Sequence, residues 1–218
     1  MADRPATQQD MIKLIGLTIK SRRVLDAMAH VPRDWFVPEA QQHLAYADRA
    51  VPLGDGQTIS QPLVVATMLE AIAPQPHHRL LEIGTGSGYV AALLGELGAR
   101  VVSIERNHRL ANDARQRLRA LGHANVRVIE GDGTLGWPDG APYDGIVVSA
   151  FGPAVPEALR QQLALGGRLV MPVGSSRGEQ QLQCMTRIGD MALATEDLGP
   201  VLFVPLIGAE GWPEQPAT

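Results

Sequence analysis

The chain has 218 residues, a formal net charge of -4 and a sequence pI near 5.8. That length gives one large domain or one domain with an extension, and 45% hydrophobic against 19% charged residues supplies a full core. The acidic balance excludes a general nucleic-acid binder, which needs a basic face. Cys184 is the single cysteine, which excludes an intrachain disulfide and suits a reducing cytoplasm. The polar start MADRPATQQD lacks the charged and apolar segments of a secretion signal. No apolar run approaches the roughly 20 residues that span a bilayer. The expectation is a soluble, cytoplasmic protein with neither nucleic acid nor membrane as partner.

Gln8 to His30 carries Met11, Leu14, Ile15, Leu17, Ile19, Val24, Leu25 and Met28 at helix-like spacing. Pro32 and Pro38 then break the chain into short pieces, with a short helix predicted at Glu39 to Leu44. YADRAVPLGDGQTIS is rich in turn residues, and a helix follows from about Gln61 to Ala73. Residues 1–76 therefore read as an α-rich N-terminal extension. Within it GQTISQP, residues 56–62, ends in a hydroxyl residue, a proline and an apolar run. Ser60 there reads as a helix cap or as an active-site hydroxyl facing an anion at a helix start.

From Arg79 the pattern alternates. RLLEIG, RVVSIE, VRVIEG, YDGIVVSA and GGRLVMPVG read as strands. GYVAALLGELG, HRLANDARQRLRALG and VPEALRQQL read as helices, the last with Pro156 in its first turn. QLQCMTRI and the segment ending in LFVPLIG read as late strands forming an antiparallel edge. Apolar strands interleaved with helices predict a doubly wound α/β domain over 77–212, its mostly parallel sheet covered on both faces. Residues 213–218 read as a flexible tail.

The first strand runs into LLEIGTGSGYVAALL, where Gly84, Gly86 and Gly88 separate strand from helix. Glycines there permit a tight turn and close approach of a ligand. Tyr89 after Gly88 breaks the G-x-G-x-x-G dinucleotide pattern, and no G-K-[ST] follows to make a P-loop. Glu105 ends the next strand, where a carboxylate can accept both hydroxyls of a ribose. Asp132, between Gly131 and Gly133, ends the strand after that and can accept from an adenine amino group; Asp144 starts a fourth strand. Each feature alone reads as a turn, a solvated strand end or a plain loop. Their order in one βαβαβ array favours a cofactor site.

This set, over roughly 79–174, resembles the class I S-adenosylmethionine-dependent methyltransferases, whose Rossmann-like sheet has seven strands. The flanks YADRAVPLGDGQTISQPLVVATMLEAI, PYDGIVVSAFGPAVPEALRQQLALGGRLVMPVG and LFVPLIGAEGW extend the resemblance to the protein-L-isoaspartate O-methyltransferase family, from about Met11 to Trp212. The resemblance implies methyl transfer from S-adenosylmethionine to the free α-carboxylate of L-isoaspartyl residues in damaged proteins and peptides, leaving S-adenosylhomocysteine, by a monomer. It makes Ser60 the active-site serine and places Thr58 and Ile59 at the cofactor and substrate. Glu82, Gly84, Thr85, Gly86 and Gly88 become the cofactor loop, Glu105 the ribose acceptor, and Asp132 with Gly133 the adenine site. Gln57, Val204 and Pro205 become substrate residues. The chain departs from the family at Asp55, at Leu63-Val64-Val65 and at SAFGP.

No metal-binding or G-x-S-x-G motif accompanies these residues, and the histidines His30, His43, His77, His78, His108 and His123 form no ligand pattern. A carboxylate is already ionised at neutral pH. It needs orientation and fixed donors rather than a general base. That makes Ser60 a carboxylate-positioning residue rather than a nucleophile. The alternatives are a related enzyme acting on another carboxylate, motivated by Asp55 and Val65, and a non-catalytic binding protein of the same fold.

Overall fold

The computed structural model describes residues 7–54, 56–190 and 192–214. Helix α1 (Gln8–Ile15) starts at a capping box between Thr7 and Asp10, and α2 (Arg22–His30) is capped by the Ser21 hydroxyl. The single helical stretch expected from Gln8 to His30 is thus two helices. The Glu70 carboxylate accepts the Lys20 and Ser21 N–H groups at 2.7 and 2.6 Å, and so takes over donors that open the second helix. Arg33–Phe36 and Glu39–Leu44 are 3₁₀ turns, the second standing where a short helix was expected.

The turn-rich stretch before Pro62 contains a hairpin, β1 (Val51–Gly54) and β2 (Gln57–Ile59), with Val51 opposite Ile59. Gly54 and Gly56 have φ of +94° and +70°, which glycine adopts at little cost. Asp55 lies between them, outside the described residues. Helix α3 (Pro62–Ile72) follows with Pro62 in its first turn, where the missing N–H costs nothing.

The main sheet comprises β3 (Arg79–Ile83), β4 (Arg100–Glu105), β5 (Val126–Glu130), β6 (Tyr143–Val148), β7 (Leu163–Ser176), β8 (Glu179–Arg187) and β9 (Leu193–Pro200). Their spatial order is β5-β4-β3-β6-β7-β8-β9. The first five are parallel, and β8 and β9 are antiparallel additions. Helices α4 (Tyr89–Leu97), α5 (His108–Ala120) and α6 (Glu157–Gln162) make the crossovers. The central strands are apolar on both faces because both are covered: Leu81, Ile83, Ile146 and Val148 belong to one buried cluster, Leu80 and Val147 to the other. That second cluster also contains Met11, Met28, Phe36, Leu69, Tyr89 and Leu93. The extension over 1–76 therefore covers one face of the sheet with its described residues.

LFVPLIG is not a ladder strand. It follows β9 as extended chain and makes isolated bridges, Phe151 to Pro205 and Ile207 to Trp212. Pro205 has no N–H to donate, which suits a segment crossing strand ends better than one inside a ladder. The edge strand is LATEDLGP, missed because its Glu, Asp, Gly and Pro are poor strand formers. The tail expected to be flexible lies, beyond Glu214, outside the described residues.

Candidate active site

Strand order reverses between β3 and β6, and ligands of open α/β sheets bind at the carboxyl ends of strands beside such a reversal. A cavity of about 760 Å³ opens there. It is lined by the glycine loop and the end of β4, by Gly56 to Ser60, and by Val204 to Ile207.

The glycine-loop wall is a closed set of local hydrogen bonds. Gly84 N–H donates to the Ile104 carbonyl (2.8 Å), and Gly86 N–H to Glu105 Oε2 (2.9 Å). Asn107 N–H donates to Glu105 Oε1 (2.8 Å). Glu105 is buried, yet each oxygen keeps a lone pair for a ligand hydroxyl. Gly84 and Gly86 have φ of +88° and +53°, so the turn that brings this backbone to the cavity favours glycine. Gly88 does not line the cavity. It caps α4 at φ +91°, where an added Cβ would stand 3.3 Å from Ala114 Cβ on α5. Its glycine serves close helix packing.

Glu82 is fully buried at the cavity floor. Ser103 Oγ donates to its Oε2 at 2.5 Å and also contacts Thr85 Oγ1 at 2.5 Å; Oε1 has no partner among the described residues. Burial pushes the Glu82 carboxyl up to about 8, against the Ser103 hydrogen bond and with help from the Glu105 charge. It therefore carries its proton at neutral pH.

Gly133 lines the cavity, and Asp132 stands one step behind it. Asp132 Oδ1 accepts from Thr134 N–H and Oγ1 at 2.9 and 2.7 Å, and Oδ2 from Ala209 N–H at 2.7 Å. Burial would raise its pKa, but these bonds and the Arg106 charge hold it below the usual carboxylate value. Asp132 thereby anchors the segment whose Trp212, Pro213 and Glu214 line the cavity.

Thr58, Ile59, Ser60 and Gln57 all line the cavity. Ser60 is not the helix cap. Gln61 occupies that position, and Asp48 does the capping from a distance: Oδ1 accepts Leu63 N–H at 2.9 Å and Oδ2 accepts Gln61 Nε2 at 2.8 Å. The Ser60 carbonyl is held by Arg33 Nη2 at 2.9 Å. Its hydroxyl, on the cavity wall, has no hydrogen-bond partner among the described residues. Val65, one of the family departures, is buried in the core and does not touch the cavity.

The family model described as protein-L-isoaspartate(D-aspartate) O-methyltransferase matches residues 7–211. The chain belongs to this family. It is accordingly a methyltransferase that takes its methyl group from S-adenosylmethionine. The protein-L-isoaspartate O-methyltransferase 2 of Marinobacter nauticus is 54% identical over 92% of this chain and 92% of its own length. The Rhodopseudomonas palustris enzyme is 53% identical over 89% and 88%. A solved protein-L-isoaspartate O-methyltransferase superposes with a TM-score of 0.85 at 28% identity, covering 94% of this chain and 67% of that one. A Plasmodium falciparum chain solved with S-adenosyl-L-homocysteine gives 0.81 at 22% identity, covering 93% of this chain and 99% of that one, a likeness of fold.

Several cavity residues of this family member carry no motif. Ser175 and Ser176 end β7 and Arg177 begins the turn to β8, and Arg106 pairs with Glu214 at 2.6 Å. Nothing in a hairpin of Ser, Arg and Gly signals a binding wall. Ser149, Ala150 and Phe151, in the departing SAFGP stretch, do line the cavity. Their position directly after β6 was the available signal.

Proposed function

We propose that the chain methylates the free α-carboxylate of L-isoaspartyl residues in damaged proteins and peptides, with Ser60 orienting that carboxylate. The observation that carries the reading is that Ser60 lines the cavity with no hydrogen bond to its hydroxyl among the described residues, the helix start being capped by Asp48 instead. A hydroxyl left open in the cavity that the glycine loop lines is available to an incoming acceptor.

The residues present fit S-adenosylmethionine. The glycines at 84 and 86 bring backbone close to the cavity, and buried Glu82 Oε1 is a polar atom without a partner among the described residues. When bound, the cofactor supplies an electrophilic methyl group on a sulfonium sulfur. Glu105 accepts the ribose hydroxyls through its free lone pairs. Gly133 would border the adenine, while Asp132, behind the lining, would act by holding the Gly133–Thr134 turn and the Ala209 segment in place. Thr58, Ile59 and Thr85 border the methyl-donor end. Gln57, Val204 and Pro205 border the peptide.

The chain's own task is positional. Ser60 donates to one carboxylate oxygen and leaves the other to accept the methyl group. No proton has to be removed, because the nucleophile is already an anion. Fixed orientation in a site shielded from water can supply several kcal/mol of the barrier reduction. Among the described residues no group of three or more His, Cys, Asp or Glu could hold a metal ion, and no helix is long and apolar enough to cross a membrane. A cytoplasmic location goes with this reading, supported by the single cysteine.

The test pairs labelled S-adenosylmethionine with two matched peptides, one L-isoaspartyl and one aspartyl. Base-labile label on the isoaspartyl peptide alone is expected. Label on neither, with cofactor binding intact by calorimetry, overturns the substrate and leaves a relative acting on another carboxylate.

A further inference from the structure

Behind Ser60 stands a charge that the methyl transfer does not require. Arg33 is 0% exposed. Its Nε donates to the Ala45 carbonyl at 2.8 Å and its Nη2 to the Ser60 carbonyl at 2.9 Å. The guanidinium carbon lies 4.9 Å from the Tyr89 ring centre. Nη1 and Tyr89 Oη are both buried and make no hydrogen bond of good geometry, although the two groups lie close enough to act on each other. Arg33 makes no ion pair among the described residues. A guanidinium keeps its proton even when buried, so a full positive charge is fixed here with only neutral oxygens at hydrogen-bonding distance.

The nearest counter-charge is Asp48, which acts on Arg33 from beyond ion-pair distance with its oxygens engaged by Leu63 N–H and Gln61 Nε2. Burying a charge so weakly compensated is costly, and an apolar side chain would fill the volume more cheaply. A counter-ion arriving with the substrate makes sense of the arrangement. The carboxylate that meets the Ser60 hydroxyl brings a negative charge to the far side of the peptide group that Arg33 holds. Direct contact with a guanidinium would engage both carboxylate oxygens and weaken the nucleophile. One residue removed, the charge attracts without engaging them.

We propose that Arg33 is a positioning residue whose buried charge, acting through Ser60, makes the subsite select a carboxylate over its neutral derivatives, and thus substrate over methyl ester product. This rests on the reading that Ser60 receives the substrate carboxylate. Methyl transfer neutralises the carboxylate, so the charge holds the substrate more strongly than the product and favours product release. Its effect falls on KM more than on kcat, because attraction to the ground state is not gained again in the transition state.

The measurement is calorimetric binding, in the presence of S-adenosylhomocysteine, of an L-isoaspartyl peptide and the same peptide carrying an α-carboxamide. The unmodified protein is expected to bind the carboxylate at least about tenfold more tightly. Arg33→Met should bring the two affinities to within about twofold while S-adenosylhomocysteine affinity holds, and Arg33→Lys should retain most of the gap. A merely structural role would weaken both peptides equally. A gap that survives in Arg33→Met overturns the proposal. Should Arg33→Met not fold, the unmodified protein still decides. A buried charge is poorly screened, so the gap should persist in 1 M salt; a gap abolished by salt belongs to exposed cations such as Arg177 and overturns the proposal. Absence of any methylation of the isoaspartyl peptide by the unmodified protein would instead strike the substrate reading itself.

Discussion

The two walls of the cavity are built in opposite ways. The wall at the glycine loop is assembled within one β3-α4-β4 unit and its continuation: Gly84 N–H bonds the Ile104 carbonyl, and Gly86 and Asn107 N–H bond the Glu105 carboxylate, where two adjacent parallel strands end. The substrate wall has no such unit. The Ser60 carbonyl is held by Arg33 from a 3₁₀ turn, its neighbours Gln61 and Leu63 by Asp48 from a loop, and Ser60 shares the cavity with residues 175–177 and 204–207 from the other end of the chain. A local unit needs only its own backbone to be right. A distributed one depends on how the extension packs on the sheet. Damage to the first should therefore appear in cofactor affinity, and damage to the second in turnover or peptide binding.

The largest effect should come from the floor shared by both walls. A carboxyl raised from 4.5 to about 8 keeps its proton in the folded chain over a range where the unfolded chain has lost it. Stability contributed by Glu82 is thus present below about pH 4.5 and lost as pH rises toward 8, by a few kcal/mol in the cofactor-free protein. Glu82→Gln should flatten that decline. Thermal melting between pH 5 and 8 checks it, and parallel curves for the two proteins would show that Glu82 ionises freely when folded.

Glu105→Ala breaks the glycine-loop wall alone. It removes a charged acceptor from two backbone N–H groups and, on the proposed reading, from the ribose, each bond worth about 1.5–3 kcal/mol. Cofactor affinity should fall on the order of a hundredfold by calorimetry. An unchanged affinity would mean the loop is set by its glycines without the carboxylate.

Ser60→Ala breaks the other wall. Turnover on the isoaspartyl peptide should fall about 10–100-fold, the loss of one hydrogen bond to a charged group. Cofactor affinity and melting temperature should stay where they are, because Ser60 is not the cap. A drop in melting temperature matching the loss of activity would return Ser60 to a structural role.

Asp48→Ala is the smallest and sharpest test of a distributed wall. It should cost about 0.5–2 kcal/mol of stability, as lost caps do, and lower turnover through the loosened Ser60–Gln61 turn without changing cofactor affinity. Chemical denaturation paired with steady-state rates measures both. A stability loss with turnover intact would separate capping from Ser60 placement.

The alternation of apolar strands and helices from Arg79 onward was legible because each element carries its own period and its own breakers. LATEDLGP was not legible: its partner β8, not its composition, makes it a strand. The hairpin over 51–59 was hidden for a similar reason, since its turn residues outnumber its apolar ones. The split between α1 and α2 depends on Glu70, which no local pattern connects to Ser21.

The site divides along the same line. Gly84, Gly86 and Glu105 were readable because a strand, a tight turn and a strand end bring them together within one unit, whatever else the chain does. Gly88 was readable as a glycine but not as a packing glycine, since Ala114 is what forbids a side chain there. Ser60 was readable as a candidate only, poised between cap and active-site hydroxyl. The choice lay with Asp48 and Arg33, which reach the Ser60–Leu63 turn only when the N-terminal segment folds back on itself. Sequence determines what neighbouring residues can do with their own backbone; which distant side chain satisfies a helix start, and so which hydroxyl is left open, is decided by packing.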